Sequence, residues 1–227
     1  ATWTQEMPVT SGLIAWYDAN DVTTIDKDGS NLVSEWRNKV VDDAFTVTQG
    51  TAGNKPTWIS AGQNGKGTIR CASGDYMQSG AFTDVDQPLT IFWTSKIPTA
   101  SSTAIREFIR NVSGTTIQIG KWDGTDDKLM SQMHSDSLVT GSITGIEETW
   151  RQIKLVMNGA SSSMFVDGVS QATGSQGTTK FRQFKFSSSS SESSWIGDYG
   201  EVLIYNRVLT SAEIEKVESY LNGKWGL

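Results

Sequence analysis

The sequence predicts an all-β fold, an antiparallel two-sheet sandwich with one short C-terminal α-helix. Three observations predict it. Short runs of β-type residues alternate with Gly, Asn-Gly and Asp-Gly turns, the pattern of successive hairpins. Helical periodicity is convincing only once, after Thr210. Composition, with 22 Gly, 9 Trp and 37% apolar residues, supplies both the turns and a core large enough to set disorder aside.

The elements follow in order. Residues 1–10 are polar, carry Pro8 and show no period, so they read as an N-terminal arm; residues 11–227 contain no linker and read as one domain. The first strand is expected at 12–19, followed by an acidic loop at 20–31 that holds Asp21, Asp26 and Asp28. Strands at 32–38 and 44–49 precede a stretch broken by Gly and Pro that runs past Trp58 to Gly67. Short strands at 68–71 and 76–78 flank a Ser73-Gly74 turn. Residues 89–97 alternate, with Leu89, Ile91 and Trp93 on a core face and Thr90, Phe92 and Thr94 on a mixed one. A meander continues through 104–112, 116–122 and 128–134, with Asp123-Gly124 as a hairpin turn. Strands at 150–158, 162–166, 169–172 and 180–186 complete the series, and the serine-rich 187–194 reads as a mobile surface loop.

Residues 201–205 are apolar on both faces, the mark of a central strand covered on both sides. Thr210 and Glu213 have the spacing of a capping box, and Leu209 and Ile214 that of a hydrophobic staple. Ile214, Val217, Tyr220 and Leu221 then recur at helical spacing. Asn222-Gly223 is expected to end the helix, and Trp225 and Leu227 to dock back on the sheet.

The net charge of −6 and the lack of a basic block argue against nucleic acid as a partner. Cys71 is the single cysteine, so an intrachain disulfide and CxxC metal or redox sites are excluded. No apolar run approaches the roughly 20 residues needed to span a bilayer, and no signal-peptide pattern precedes Trp3. Membrane insertion is not expected.

Three segments together carry a family resemblance. They are Ala15-Trp16-Tyr17-Asp18-Ala19-Asn20-Asp21 with Trp36-Arg37-Asn38, then Trp150-Arg151-Gln152-Ile153-Lys154-Leu155 leading to Met164-Phe165-Val166-Asp167-Gly168, and finally residues 200–207 with Tyr220-Leu221 and Lys224-Trp225-Gly226. As a set they resemble the laminin-G-like jelly rolls of the concanavalin A-like lectin/glucanase superfamily. The resemblance implies a jelly-roll sandwich and is far more specific for fold than for function. After Trp36, many relatives carry an Asp and a Ser-Gly-Asn turn; here Asn38-Lys39-Val40-Val41 follows, and no metal role tied to that Asp carries over.

Catalysis finds little support in the residues. A glycosidase needs two carboxylates roughly 5 to 9 Å apart across a sugar bond, and no Glu-x-Asp-x-Glu strand pattern supplies them. Glu147 and Glu148 are adjacent and read as loop residues, while Glu35 and Glu107 read as solvated strand faces. His134, the single histidine, lacks a nucleophile elbow, and Cys71 reads as a small buried hydrophobe. Asp26 and Asp28, and the run Asp123-Gly124-Thr125-Asp126-Asp127, cluster oxygen ligands of the kind calcium takes, although turn chemistry alone is the stronger reading for both. A structural calcium at Asp26 and Asp28 stays a candidate, and no other cofactor is expected.

For ligand binding the informative residue is Trp122, which falls on the face opposite Ile117 and Ile119. An outward indole beside Asp123, Thr125, Asp126 and Asp127 has the chemistry of a sugar site: a flat apolar surface for C–H faces and oxygens for hydroxyls. Covering a sandwich edge or a subunit interface would also suit it. Trp16, Trp93, Trp150 and Trp195 read as core, and the sequon Asn111-Val112-Ser113 as a chance match. The expectation is a non-catalytic, glycan-directed binding or adhesion module on a virion surface, as a phage decoration, head-fibre or tail protein, or on another extracellular surface. Its partners would be a surface glycan or capsid and tail proteins, with self-association into a homo-oligomer open. The alternative is a purely structural capsid or tail component without a sugar ligand; a glycoside hydrolase or polysaccharide lyase ranks third.

Overall fold

Alternation of apolar and polar residues builds both sheets, and the places where alternation fails mark the surfaces that a second layer covers. The computed structural model describes residues 6–40, 43–99, 106–112, 117–121, 127–133, 136–190 and 193–227. In chain order the strands are β1 (Leu13–Asp18), β2 (Ile25–Lys27), β3 (Val33–Trp36), β4 (Val47–Thr48), β5 (Thr57–Gln63), β6 (Lys66–Arg70), β7 (Tyr76–Ser79), β8 (Leu89–Lys96) and β9 (Arg106–Asn111). There follow β10 (Ile117–Lys121), β11 (Leu129–Met133), β12 (Asp136–Val139), β13 (Trp150–Met157), β14 (Ser162–Val166), β15 (Val169–Gly174), β16 (Phe184–Ser187) and β17 (Asp198–Tyr205), then helix α1 (Ser211–Trp225).

The strands form two antiparallel sheets. One has eight strands, in the order β15-β14-β13-β8-β17-β6-β5. Its eighth strand, β1, shares an edge of β17: β6 pairs with Asp198 and Tyr199, and β1 with Glu201 onward. The other sheet has nine strands, ordered β12-β11-β10-β9-β16-β7-β4-β3-β2. Between them lies the main core, to which one sheet sends Tyr17, Ile91, Trp93, Ile153 and Val202 and the other Trp36, Val47, Met77, Ile119, Phe184 and Phe186. Phe108 stacks on Trp93 and on Tyr199 at centroid distances of 4.9 and 4.6 Å.

A second core lies on the opposite face of the eight-stranded sheet. There Phe92, Leu203 and Tyr205 meet Val217, Tyr220, Leu221 and Trp225 of α1, and Met7 and Val9 of the arm pack against them. Strands β8 and β17 are therefore buried on both faces, which explains their near-continuous apolar runs. The mixed face expected for Phe92 is in fact covered. Trp16 and Trp150 are likewise half-buried members of this second core, not of the main one, and Trp150 lies parallel to Trp225 at 5.9 Å.

The helix begins where its cap requires. Thr210 Oγ1 accepts from the Glu213 amide at 3.4 Å, and the Glu213 carboxylate accepts from the Thr210 amide at 2.9 Å. It does not stop at Asn222-Gly223. The left-handed residue is Gly226, φ 69°, whose N–H donates to the Asn222 carbonyl at 2.8 Å. Burial of Lys224 and Trp225 on the last turn outweighs the roughly 1 kcal/mol that an interior glycine costs. Trp225 docks completely, whereas Leu227 remains exposed.

Other expectations are corrected too. Residues 57–63 form strand β5, missed because its half-exposed residues show no alternation and its pairing with β6 is irregular between Ile59 and Gln63. The polar β12 was missed for a similar reason, with Leu138 alone buried. The serine-rich stretch is pinned among its described residues: Ser187, Ser188 and Ser194 are buried. Ser194 Oγ accepts from the Gly74 amide and lies 2.8 Å from the carbonyls of Ser188 and Ser190. These hydroxyls replace ladder partners that an irregular backbone cannot supply.

Candidate functional site

Each sheet turns one face away from the main core. On the eight-stranded sheet that face is taken by α1 and the arm. On the nine-stranded sheet no second layer covers it among the described residues, and strand alternation has made it polar. Asp26, Glu35, Thr48, Gln78, Lys185, Arg110, Gln118, Gln132 and Ser137, one from each strand, stand directly opposite one another in a single row across all nine strands. All are half-buried or exposed.

At one end of the row an open groove of about 490 Å³ is lined by Glu35, Arg37, Asp43, Thr46, Thr48 and Gly80. Arg37 Nη1 donates to Glu35 at 2.6 Å and lies 3.4 Å from the Asp26 carboxylate, while Nη2 donates to the Thr23 carbonyl. The Glu35 hydrogen bond leads the influences that raise the Arg37 pKa. Gly80 packs closely on Ala44, since a Cβ there would come within 3.2 Å of the Ala44 carbonyl.

The middle of the row is built around Glu107. Expected as a solvated residue, its side chain is only 2% exposed. It accepts both oxygens' worth of contact from Arg110 Nη1, at 3.0 and 3.1 Å, and a further bond from the Gln118 amide. A bulge creates the space. The β9–β10 register shifts between Ile119 and Gly120, and a Cβ on Gly120 would fall 1.9 Å from the Arg106 carbonyl. Beside it, Lys185 Nζ sits 5.0 Å from the centre of the Tyr76 ring. Burial, then the neighbouring Arg110, lowers the Lys185 pKa. Among the described residues the face thus presents amides, hydroxyls, carboxylates, cations and the Tyr76 ring, a set suited to a polyhydroxylated ligand.

Of the residues singled out by sequence, Trp122, Asp123, Thr125 and Asp126 lie outside the described residues, as does His134. Asp127 is engaged at the rim: its carboxylate is 3.6 Å from Lys121 Nζ, which is fully buried and also 2.7 Å from Glu147. Asp26 and Asp28 are not brought together as ligands. Asp28 accepts from the amides of Ser30 and Leu32 at 2.9 and 3.0 Å, ordinary turn chemistry, and Asp26 faces Glu35 and Arg37. Among the described residues no group of three or more His, Cys, Asp or Glu side chains could hold a metal ion. Cys71 is buried as expected, and Asn111 of the sequon is buried as well.

A second charged cluster, Glu201, Asp18 and Lys224, is enclosed beneath α1 and offers no access to a ligand. The polar row is the candidate surface that sequence reasoning missed. Gln78, Lys185 and Arg110 each show outward periodicity, but β7, β16 and β9 are sheet neighbours far apart in the chain.

A family model described as the concanavalin A-like lectin/glucanases superfamily, of laminin-G type, matches residues 72–215. No curated protein matches the chain in sequence. Among solved structures, domain 4 of AbnA, a GH43 extracellular arabinanase from Geobacillus stearothermophilus in complex with arabinotriose, is similar at TM-score 0.63 and 15% identity, covering 92% of this chain and 100% of that one. The binding domain of Paraclostridial Mosquitocidal Protein 1 is similar at TM-score 0.64 and 14% identity, covering 93% of this chain and 53% of that one. Trypanosoma rangeli sialidase is similar at TM-score 0.60 and 13% identity; the match covers 95% of this chain but 33% of the sialidase.

Proposed function

We propose, for a chain that belongs to the concanavalin A-like lectin/glucanase superfamily, that it is a non-catalytic glycan-binding module whose binding surface is the open face of the nine-stranded sheet. The observation that carries this reading is the polar row from Asp26 to Ser137, on a sheet face that no second layer covers among the described residues. A similar fold in complex with arabinotriose supports it.

The non-catalytic part of the reading rests on how the face's carboxylates are occupied. Asp26 and Glu35 are cross-strand neighbours, yet Arg37 fills the space between them that a glycosidic oxygen and a water would need. Glu107 is sealed beneath Arg110 and Gln118. Display on a phage virion or another extracellular surface is the setting we propose for the module, and it rests on the sequence resemblance alone.

Titration of a saccharide panel against purified protein tests the reading. Wild-type protein binds at least one saccharide, and Gln78→Ala weakens that binding at unchanged melting temperature. Trp122→Ala tests separately the contribution expected of that residue from the sequence. Silence across the panel, together with assembly onto capsid or tail proteins, would establish the structural alternative instead.

A further inference from the structure

The centre of the polar row holds an arrangement that folding alone does not favour. Lys185 on β16 and Arg110 on β9 are directly opposite each other, and like charges in that relation destabilise a sheet. Glu107 bonds only one of them directly and reaches Lys185 through its charge alone. It takes Arg110 Nη1 with both oxygens, leaving Arg110 Nε and Nη2 without a hydrogen-bond partner among the described residues, on a side chain 34% exposed. Lys185 has no carboxylate within ion-pair distance among the described residues; its contact is the face of Tyr76. Gln78, its neighbour on the other side, has an amide that is equally uncommitted.

A half-buried ammonium and a free guanidinium edge, a cross-strand step apart, with an amide and an aromatic ring alongside, constitute an oxyanion receptor. Guanidinium takes a carboxylate or sulfate through two parallel N–H donors, and ammonium adds a point charge. The surplus positive charge stands out further because the whole chain is acidic, at −6. Its position in mid-row rather than at an edge puts it where a sugar lying across the sheet would bring a substituent.

We propose that the glycan taken by this face is acidic, its carboxylate or sulfate group bound between Lys185 and Arg110, with Gln78 and Tyr76 contacting the same sugar ring. The inference rests on the glycan-binding reading of the face and names the ligand class.

The test uses three matched pairs: sialyllactose and lactose, oligogalacturonate and its methyl ester, and a sulfated galactan and its desulfated form. Each is titrated against the full chain by calorimetry. In at least one pair the charged member binds about tenfold or more tightly than the neutral one, as one charge-assisted hydrogen bond would give. That preference weakens on raising salt. The pair that responds distinguishes carboxylate from sulfate. Lys185→Gln abolishes the preference without lowering the melting temperature, and Lys185→Arg retains it. Neutral and charged members binding alike, or a preference untouched by Lys185→Gln, overturns the acidic-ligand inference and leaves the glycan-binding reading standing. Failure of all six saccharides to bind overturns both.

Discussion

Lys224 Nζ on α1 lies 2.7 Å from Glu201 Oε2 on β17, and both side chains are withdrawn from water. Every lone-pair direction of this carboxylate is used: Oε1 accepts from Trp16 Nε1 and the Tyr220 hydroxyl at 2.7 and 2.8 Å, and Oε2 also accepts from Trp225 Nε1 at 2.9 Å. Lys224 reaches Asp18 at 2.7 Å as well. Burial and then Asp18 push the Glu201 pKa up, while for Lys224 burial is outweighed by Glu201 and Asp18, which hold its pKa above 10.5. The network ties helix, first strand and last strand together.

Removing one partner should leave buried charge uncompensated. Lys224→Met is expected to cost about 3–5 kcal/mol in urea unfolding, and the double variant with Glu201→Gln to recover part of that loss. A single-variant cost below about 1 kcal/mol would contradict the closed network. The sign with pH follows from a raised lysine pKa: the contribution is full below 10.5 and is lost as pH rises through the folded value. Wild-type melting temperature should fall toward that of Lys224→Met as pH is raised above 10.5.

Glu213 gives the opposite slope. Its hydrogen bond from Arg207, then that from the Thr210 amide, lowers its pKa from 4.5 to about 2. A depressed carboxyl stabilises above its unfolded pKa and ceases to as pH falls through its folded one. Glu213→Gln keeps an acceptor for the cap but loses the charge facing Arg207. The melting-temperature gap between wild type and Glu213→Gln should therefore close between pH 4.5 and about 2. A gap constant across that range would show that the ion pair contributes nothing.

Lys185 should cost stability. It faces Arg110 across the strand pair and is desolvated, so Lys185→Gln is expected to match or exceed wild-type stability by up to about 1 kcal/mol. Thermal melts at low salt read the difference. A clear loss of stability would identify Lys185 as a structural residue.

Cys71 should be inert in the native state. Burial first, then Asp75 and Asp198, raises its thiol pKa well above the ordinary value, and the side chain is enclosed. Labelling by a disulfide reagent at pH 8 should proceed only as fast as the protein unfolds. Labelling within seconds under native conditions would contradict this placement.

How much was legible depends on the range of the interaction. The Thr210–Glu213 cap is written within four residues and forms as read. The two-faced burial of residues 201–205 was legible because an apolar run of that kind has few other uses. The end of the helix was not, since Gly223 reads locally as a stop and only the buried Lys224 and Trp225 carry the helix past it. Glu107 was read as solvated for the same reason: its burial depends on a bulge at Phe108, opposite Gly120, and on Arg110 and Gln118 folding over it.

The sequence by itself determined the all-β class, most of the hairpins and the capped C-terminal helix. These depend on period, turn chemistry and nearest neighbours, which a linear chain displays. Only the tertiary structure decided which sheet face stays open and which residues share it. Asp26, Gln78, Arg110 and Lys185 come from strands separated by long stretches of chain, and antiparallel pairing across non-consecutive strands sets them in one row. Register between distant strands is fixed by packing the opposite, apolar face against the other sheet, a constraint that appears only when both sheets are in place.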